Sequence, residues 1–148
     1  MKIVIQRVKK ASVTINSLEK REISEGIAVL AGFAKDDDFS VCEKVFEKIR
    51  KLRIFYNEAG KFDKSVEEIN GEILIVSQFT LYGNCKKGNR PDFLEAAGFE
   101  QGKKLYDDFL NIAKRSGLKI ESGEFGADML VEIHNDGPVT IIADSKDL

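Results

Sequence analysis

The sequence predicts an α+β domain with largely antiparallel sheets. Three observations carry this. Two strand-like pieces open the chain, Ile3 to Val8 and Ala11 to Ile15. Two stretches with apolar residues at helical spacing are inserted in the middle. The chain then closes on strands again from Leu118 onward. No repeat, low-complexity tract or linker interrupts the pattern, so residues 1 to 148 read as one domain, a length that supports a real core.

Taken in order, Asn16 to Lys20 is a polar turn between strand-like pieces. Gly26 to Phe33 is a continuous apolar run, which suits a strand buried on both faces. Lys35-Asp36-Asp37-Asp38 supplies the acidic cap of a helix. Its apolar stripe is Val41, Val45, Ile49 and Leu52. Arg53 to Tyr56 is a short strand closed by a turn at Asn57 to Gly60, and Glu72 to Leu81 is a second apolar strand. Asn84 to Pro91 is a polar, basic loop. A helix, broken or started near Gly98, carries Leu105, Phe109 and Ile112 on one face and stops at Gly117. Leu118 to Glu121, Met129 to Asn135 and Val139 to Ala143 read as the closing strands.

Hydrophobic residues make up 43% of the chain and charged residues 32%, a globular mixture. The net charge of −2 gives no global basic field for nucleic acid, so any RNA contact falls to local patches. Lys86, Lys87 and Arg90 in one loop are the first candidates. Lys48, Arg50, Lys51 and Arg53 at a helix end are the second. Cys42 and Cys85 stand far apart in no metal-ligand spacing, which argues against a zinc site or a disulfide scaffold. The opening segment reaches Lys2 and Arg7 too soon for a secretory leader, and no apolar run has membrane-spanning length. The cytoplasm is the expected location, with no membrane partner, no metal and no cofactor.

His134 is the only histidine. Alternation along its strand puts it with Leu130 and Glu132, opposite Met129, Val131 and Ile133, on a partly solvated face. A Ser-His-Asp or Cys-His apparatus would have to use it, so such mechanisms are disfavoured. The glycine-rich loops of nucleotide-triphosphate and dinucleotide sites are also missing.

Three segments carry positive signals. Glu72 to Val76 runs into Ser77-Gln78-Phe79-Thr80, small polar groups at the end of an apolar strand. Alternation would put Gln78 and Thr80 on one face and Ser77 and Phe79 on the other. Plain satisfaction of backbone groups at a strand end explains the same pattern. Asn135-Asp136-Gly137-Pro138 reads as a turn between two strands, and an ordinary hairpin turn would serve. Arg7 shares a strand face with Ile3 and Ile5, so its charge needs partners or a route to solvent.

Together these segments resemble the D-aminoacyl-tRNA deacylase family along essentially the whole chain. The resemblance is carried by residues 5 to 13 (Ile-Gln-Arg-Val-Lys-Lys-Ala-Ser-Val), 77 to 81 (Ser-Gln-Phe-Thr-Leu) and 88 to 93 (Gly-Asn-Arg-Pro-Asp-Phe). It continues at 123 to 129 (Gly-Glu-Phe-Gly-Ala-Asp-Met) and 135 to 140 (Asn-Asp-Gly-Pro-Val-Thr). It implies a layered, barrel-like core with two main helices packed outside. It also implies a homodimer with active sites at the subunit interface, where a cis Gly137-Pro138 turn enters the partner's pocket. Ser77, Gln78, Phe79 and Thr80 would then line that pocket as the catalytic segment and meet the aminoacyl end of tRNA. Phe125 and Met129 match pocket residues, and Arg7 matches the arginine that holds the Gly-Pro turn.

The chemistry implied is hydrolysis of an ester between an amino acid and the terminal ribose. Such an ester needs little activation, so positioned water and backbone N–H donors at Phe79 and Thr80 suffice. The Thr80 hydroxyl would orient water or substrate. Thr80 as nucleophile is the weaker alternative, because no neighbouring base is visible. The carbonyl oxygens of the Gly-Pro turn would collide with an L side chain, which is specificity by repulsion. Glycine would pass such a filter, so glycyl-tRNA mischarged on tRNA-Ala is an expected second substrate. Rival readings are another aminoacyl- or peptidyl-tRNA hydrolase, a non-catalytic tRNA-binding module, and a dimeric structural protein.

Overall fold

A computed structural model describes residues 1–86 and 88–148. Lys87, one of the basic-loop candidates, lies outside the described residues. The elements run β1 (Lys2–Ile15), β2 (Glu19–Ile23), β3 (Gly26–Gly32), α1 (Phe39–Lys51), β4 (Phe55–Tyr56), β5 (Phe62–Lys64), β6 (Glu72–Ser77), α2 (Phe99–Lys114), β7 (Ile120–Ser122) and β8 (Met129–Asp144). Single 3₁₀ turns cover Phe79–Tyr82 and Ser145–Asp147.

The long strand β1 organises the sheet. β8 runs antiparallel along one of its edges from Lys2 to Ile15. The other edge is shared: β3 takes Lys2 to Val8, and β2 takes Ala11 to Ile15, both antiparallel. β6 pairs with β3 and β7 pairs with β6, both parallel. The two parallel pairings follow from helical crossovers, α1 between β3 and β6 and α2 between β6 and β7. The main sheet is therefore mixed, antiparallel around β1 and parallel beyond β3. β4 and β5 form a separate antiparallel hairpin.

The sheet curls into a nearly closed barrel with both helices outside, and the alternation within β3 and β6 explains why. Ile27, Val29, Ile73 and Ile75 point out to the helices and join a core with Val45, Phe46, Ile49, Tyr106 and Phe109. Ala28, Leu30, Leu74 and Val76 point inward and meet Val8, Val13, Ile23 and the inner face of β8. Each such side chain is worth roughly 1.5–3 kcal/mol when buried, so a one-residue slip of β3 or β6 would be costly on both faces at once. The helices start as the sequence indicates. Asp38 accepts from the Val41 N–H at 3.0 Å at the N-cap of α1. On α2 the buried stripe is Leu105, Tyr106, Phe109, Leu110 and Ala113, with Ile112 half-buried.

Three differences from expectation bear on the site. Ile3 to Val8 and Ala11 to Ile15 are one strand, because Lys10 pairs with His134 across a register shift at Lys9, and both lysine side chains stay in water. The Glu72 to Leu81 strand ends at Ser77, where Phe79–Tyr82 winds into the 3₁₀ turn. Gln78 and Thr80 therefore do not alternate along a strand.

The third difference matters most. Asn135-Asp136-Gly137-Pro138 does not reverse the chain. Met129 to Asn135 and Thr140 to Asp144 both pair with β1, so β8 is one strand carrying a wide bulge. Gln6 faces Thr140 and Val8 faces Asn135, which leaves Asp136, Gly137, Pro138 and Val139 opposite Arg7. A hairpin would have paired the two halves of β8 with each other, but the length of β1 offers each half a better partner.

Candidate functional site

The barrel opens beside the end of β6 into a cavity of about 600 Å³. Its floor is Val76, Ser77, Gln78 and Phe79, and one wall is Phe125 to Met129, with Phe99 at the rim. Sequence reasoning brought Ser77, Gln78, Phe79, Phe125 and Met129 to one place, and the structure does the same. Thr80 is exposed and does not line the cavity, yet its hydroxyl accepts from the Gln78 side-chain amide. Missed were Phe99, Ala97, Gly126, Ala127 and Asp128. The run Gly126-Ala127-Asp128 lies within residues 123 to 129, which carry the family resemblance, but has no spacing signal of its own. Phe99 reaches the rim only because α2 begins there.

Local packing fixes the cavity. The Tyr106 hydroxyl, buried under the floor, donates toward the carbonyls of Ile75 (2.9 Å) and Gly123 (3.2 Å). It thereby ties β6 to the segment leading into the wall, and burial pushes its ionisation upward. Phe125 lies between Phe99 and Tyr106, with ring centroids 5.3 and 5.9 Å away. Gly126 has φ +78°, and a Cβ there would sit 2.8 Å from the Phe99 ring. That residue therefore has to be glycine for wall and rim to meet.

Chemically the cavity is spare. Asp128 is its one ionisable side chain among the described lining residues, and it is exposed. His134 faces outward with Leu130 and Glu132 and lines a different cleft with Lys10 and Lys20. The N–H groups of Phe79 and Thr80 open the 3₁₀ turn, where no preceding carbonyl of that turn accepts them. No group of three or more His, Cys, Asp or Glu side chains is placed to hold a metal among the described residues.

Arg7, Gly137 and Pro138 form a second cluster and do not line this cavity. Arg7 is 2% exposed. Its Nη1 donates to the Ile54 carbonyl at 2.8 Å. Its Nε lies 3.0 Å from Asp136 Oδ2, an ion pair off the N–H axis. The Gly137–Pro138 peptide is cis. Gly137 has φ +117°, and a Cβ there would sit 2.9 Å from Arg7 Nη2. Within the bulge, Asn135 Oδ1 accepts from the Val139 N–H (3.1 Å) and Asn135 Nδ2 donates to Thr140 Oγ1 (3.0 Å). Gly137 and Pro138 themselves are exposed.

A curled mixed sheet with helices outside, opening on a cavity floored by Ser77 to Phe79, defines the class to which the comparisons point. A solved structure described as a probable eukaryotic D-amino acid tRNA deacylase has the same fold, with a TM-score of 0.87 over 96% of this chain and 97% of that one, at 18% identity. A nearer solved structure, of a c-Myc DNA unwinding element binding protein, is 46% identical with a TM-score of 0.88, covering 97% of this chain and 98% of that one.

The model of the D-Tyr-tRNA(Tyr) deacylase family matches residues 4–144, and this chain belongs to that family of hydrolases. Curated relatives named D-aminoacyl-tRNA deacylase include one from Clostridium beijerinckii, 53% identical, and one from Thermosipho africanus, 51% identical. Each comparison covers 99% of this chain and 98% of the relative.

Proposed function

We propose that this protein hydrolyses the ester of D-aminoacyl-tRNA, releasing the D-amino acid and tRNA. The observation that carries the reading is the cavity floor. Ser77 to Phe79 end a buried strand, and the next N–H groups open a 3₁₀ turn beside a cavity with little ionisable chemistry of its own. An activated ester needs that much: a positioned carbonyl, donors for the developing oxyanion and an oriented water. The N–H groups of Phe79 and Thr80 are the proposed donors. The Thr80 hydroxyl, held by Gln78, or the 2′-hydroxyl of the terminal ribose assists the water. Phe125 and Met129 receive the amino-acid end.

Chiral selection belongs to the Gly137–Pro138 bulge in this reading. In a single chain the bulge does not line the cavity, yet it is exposed and held from beneath by Arg7. In a homodimer each bulge enters the partner's cavity, and its carbonyl oxygens exclude an L side chain at the substrate α-carbon. Exposed Leu130 and Ile142 on β8 supply apolar surface for such an assembly. Glycine passes the filter, which makes glycyl-tRNA mischarged on tRNA-Ala a second substrate. Lys86 and Arg90, both exposed, are the first candidates for contact with the tRNA body. A cytoplasmic location follows from such a substrate.

The test is to incubate the protein with D-tyrosyl-tRNA and L-tyrosyl-tRNA and follow loss of the ester. Loss of the D ester alone is expected. Equal rates on both would remove chiral selection, and loss of neither would remove the enzyme.

A further inference from the structure

We propose that Tyr56 and Phe62, a stacked aromatic pair on the β4–β5 hairpin, are positioning residues that set stereochemical selectivity through Arg7. The inference rests on the proposed role of the Gly137–Pro138 bulge as the element that refuses L substrates.

The Arg7 guanidinium pairs with Asp136 in the bulge, leaves no room for a Cβ at Gly137, and bonds the Ile54 carbonyl just before β4. Its central carbon lies 4.4 Å from the Tyr56 ring centroid and 5.7 Å from that of Phe62. The two rings stack on each other at 5.1 Å and 24°. Arg7 is 2% exposed while each ring is 51% exposed. The rings are thus the cover that keeps water from this face of the guanidinium, and the other contacts fix its remaining edges.

The hairpin is built to hold that cover in place. It lies outside the main sheet and is closed by its own contacts. Asn57 Oδ1 accepts from the N–H groups of Ala59 and Lys61, and Arg53 pairs with Asp63 across the strands. Two large aromatic rings that remain half in water contribute little to the core. What their inner faces do is stack on a cation. Removing one admits water, raises the local dielectric, weakens the pull between Arg7 and Asp136, and frees the guanidinium fork to turn. The bulge loses the support beneath Gly137, while the cavity is lined by none of these residues and keeps its shape.

The decisive variants are Tyr56→Leu, which removes the ring, and Tyr56→Phe, which keeps it. The rates to compare are kcat/KM on D- and L-tyrosyl-tRNA. Tyr56→Leu is expected to raise the L-to-D ratio about tenfold, the size of a partly desolvated cation–π contact. The D rate is expected to stay within about twofold, as for an interaction outside the reacting centre. Tyr56→Phe is expected to match the parent. Phe62→Leu asks the same question with a smaller effect and stands in should Tyr56→Leu not fold.

A second readout needs no substrate: exchange of the Arg7 Nε–H proton with water, followed by NMR. It is expected to be about tenfold faster in Tyr56→Leu and unchanged in Tyr56→Phe. Proportional change in the D and L rates, or unchanged proton exchange in Tyr56→Leu, overturns the proposal. Hydrolysis of neither ester by the unsubstituted protein would instead overturn the deacylase reading, and the proton exchange would still decide whether the rings hold Arg7.

Discussion

The cavity floor and the β8 bulge are both departures from regular strand, and they are stabilised in opposite ways. At the floor, β6 stops and the chain winds into a 3₁₀ turn whose supports are the apolar barrel interior and one buried phenol. Its polar side chains are half-buried at Ser77 and Gln78 and exposed at Thr80, and among the described residues that of Gln78 bonds only within the turn, to Thr80. At the bulge, the ladder to β1 is interrupted, and side-chain chemistry replaces it: a buried guanidinium, an asparagine that bonds across the loop, and a carboxylate. A site that works through backbone N–H groups needs its fold more than its side chains. A selector that works by repulsion needs rigid support, and here polar anchors supply it. Substitutions at the two places should accordingly fail differently.

Arg7→Leu carries the largest expected effect. Among the described residues it leaves Asp136 with only the more distant Lys9 (3.7 Å), and it removes the bond to Ile54. Asp136 is half-buried and keeps some solvent, so the larger loss is the charged hydrogen bond to the buried Ile54 carbonyl, roughly 1.5–3 kcal/mol, with the ion pair adding to it, and a clear drop in the urea midpoint is expected. The surviving protein should lose preference for the D ester. Retained stability together with retained selectivity would mean that the bulge is self-supporting, and the contrast with the floor would collapse.

Tyr106→Phe tests the floor's one polar support. The phenol donates toward two carbonyls, of which that of Ile75 also accepts from the Gly123 N–H. A loss of about 1–3 kcal/mol in stability is expected. Since the floor and the wall would then separate slightly, KM should rise with selectivity unchanged. A change in the D-to-L ratio would show that floor and bulge are mechanically coupled.

These two side chains also mark how far the sequence could be read. Arg7 was legible, because alternation put it in line with Ile3 and Ile5 and a charge there demands partners. Its partners were not, since all lie far along the chain: the pairing of β8 with β1 brings Asp136 to it, and the packing of the separate β4–β5 hairpin brings Ile54 and Tyr56. The apolar runs gave β3 and β6, and helical periodicity gave α1 and α2, because burial is a local demand repeated along each element. The bulge was misread as a turn for the complementary reason. Asn-Asp-Gly-Pro is a strong local turn signal, and a register set by residues more than a hundred positions away overrides it. Ser77 to Phe79, Phe125 and Met129 were assembled into one cavity through family resemblance rather than through pattern, and all five line it.

Asn135→Ala should do less than Arg7→Leu. It removes the acceptor of the Val139 N–H and a partner of the Thr140 hydroxyl, which Gln6 also reaches at 3.2 Å. About 1 kcal/mol of stability is expected to go, with a partial rise in L-ester hydrolysis. An effect on selectivity as large as that of Arg7→Leu would shift the main support of the bulge from the guanidinium to the asparagine.

Thr80→Ala is expected to do least, and it is the sharpest probe of the floor. The Thr80 hydroxyl is exposed, outside the cavity lining, and engaged by Gln78. No base among the described lining residues stands ready to activate it; Asp128 is the only ionisable group there. If backbone N–H groups and an oriented water carry the reaction, alanine leaves both donors in place, and kcat on the D ester should fall by less than about tenfold, the scale of one lost orienting hydrogen bond. If Thr80 is the nucleophile, alanine has no oxygen to replace it, and the loss should be several orders of magnitude. The two outcomes are far enough apart for a single-turnover measurement to separate them. Only the first is compatible with a floor whose function resides in its backbone.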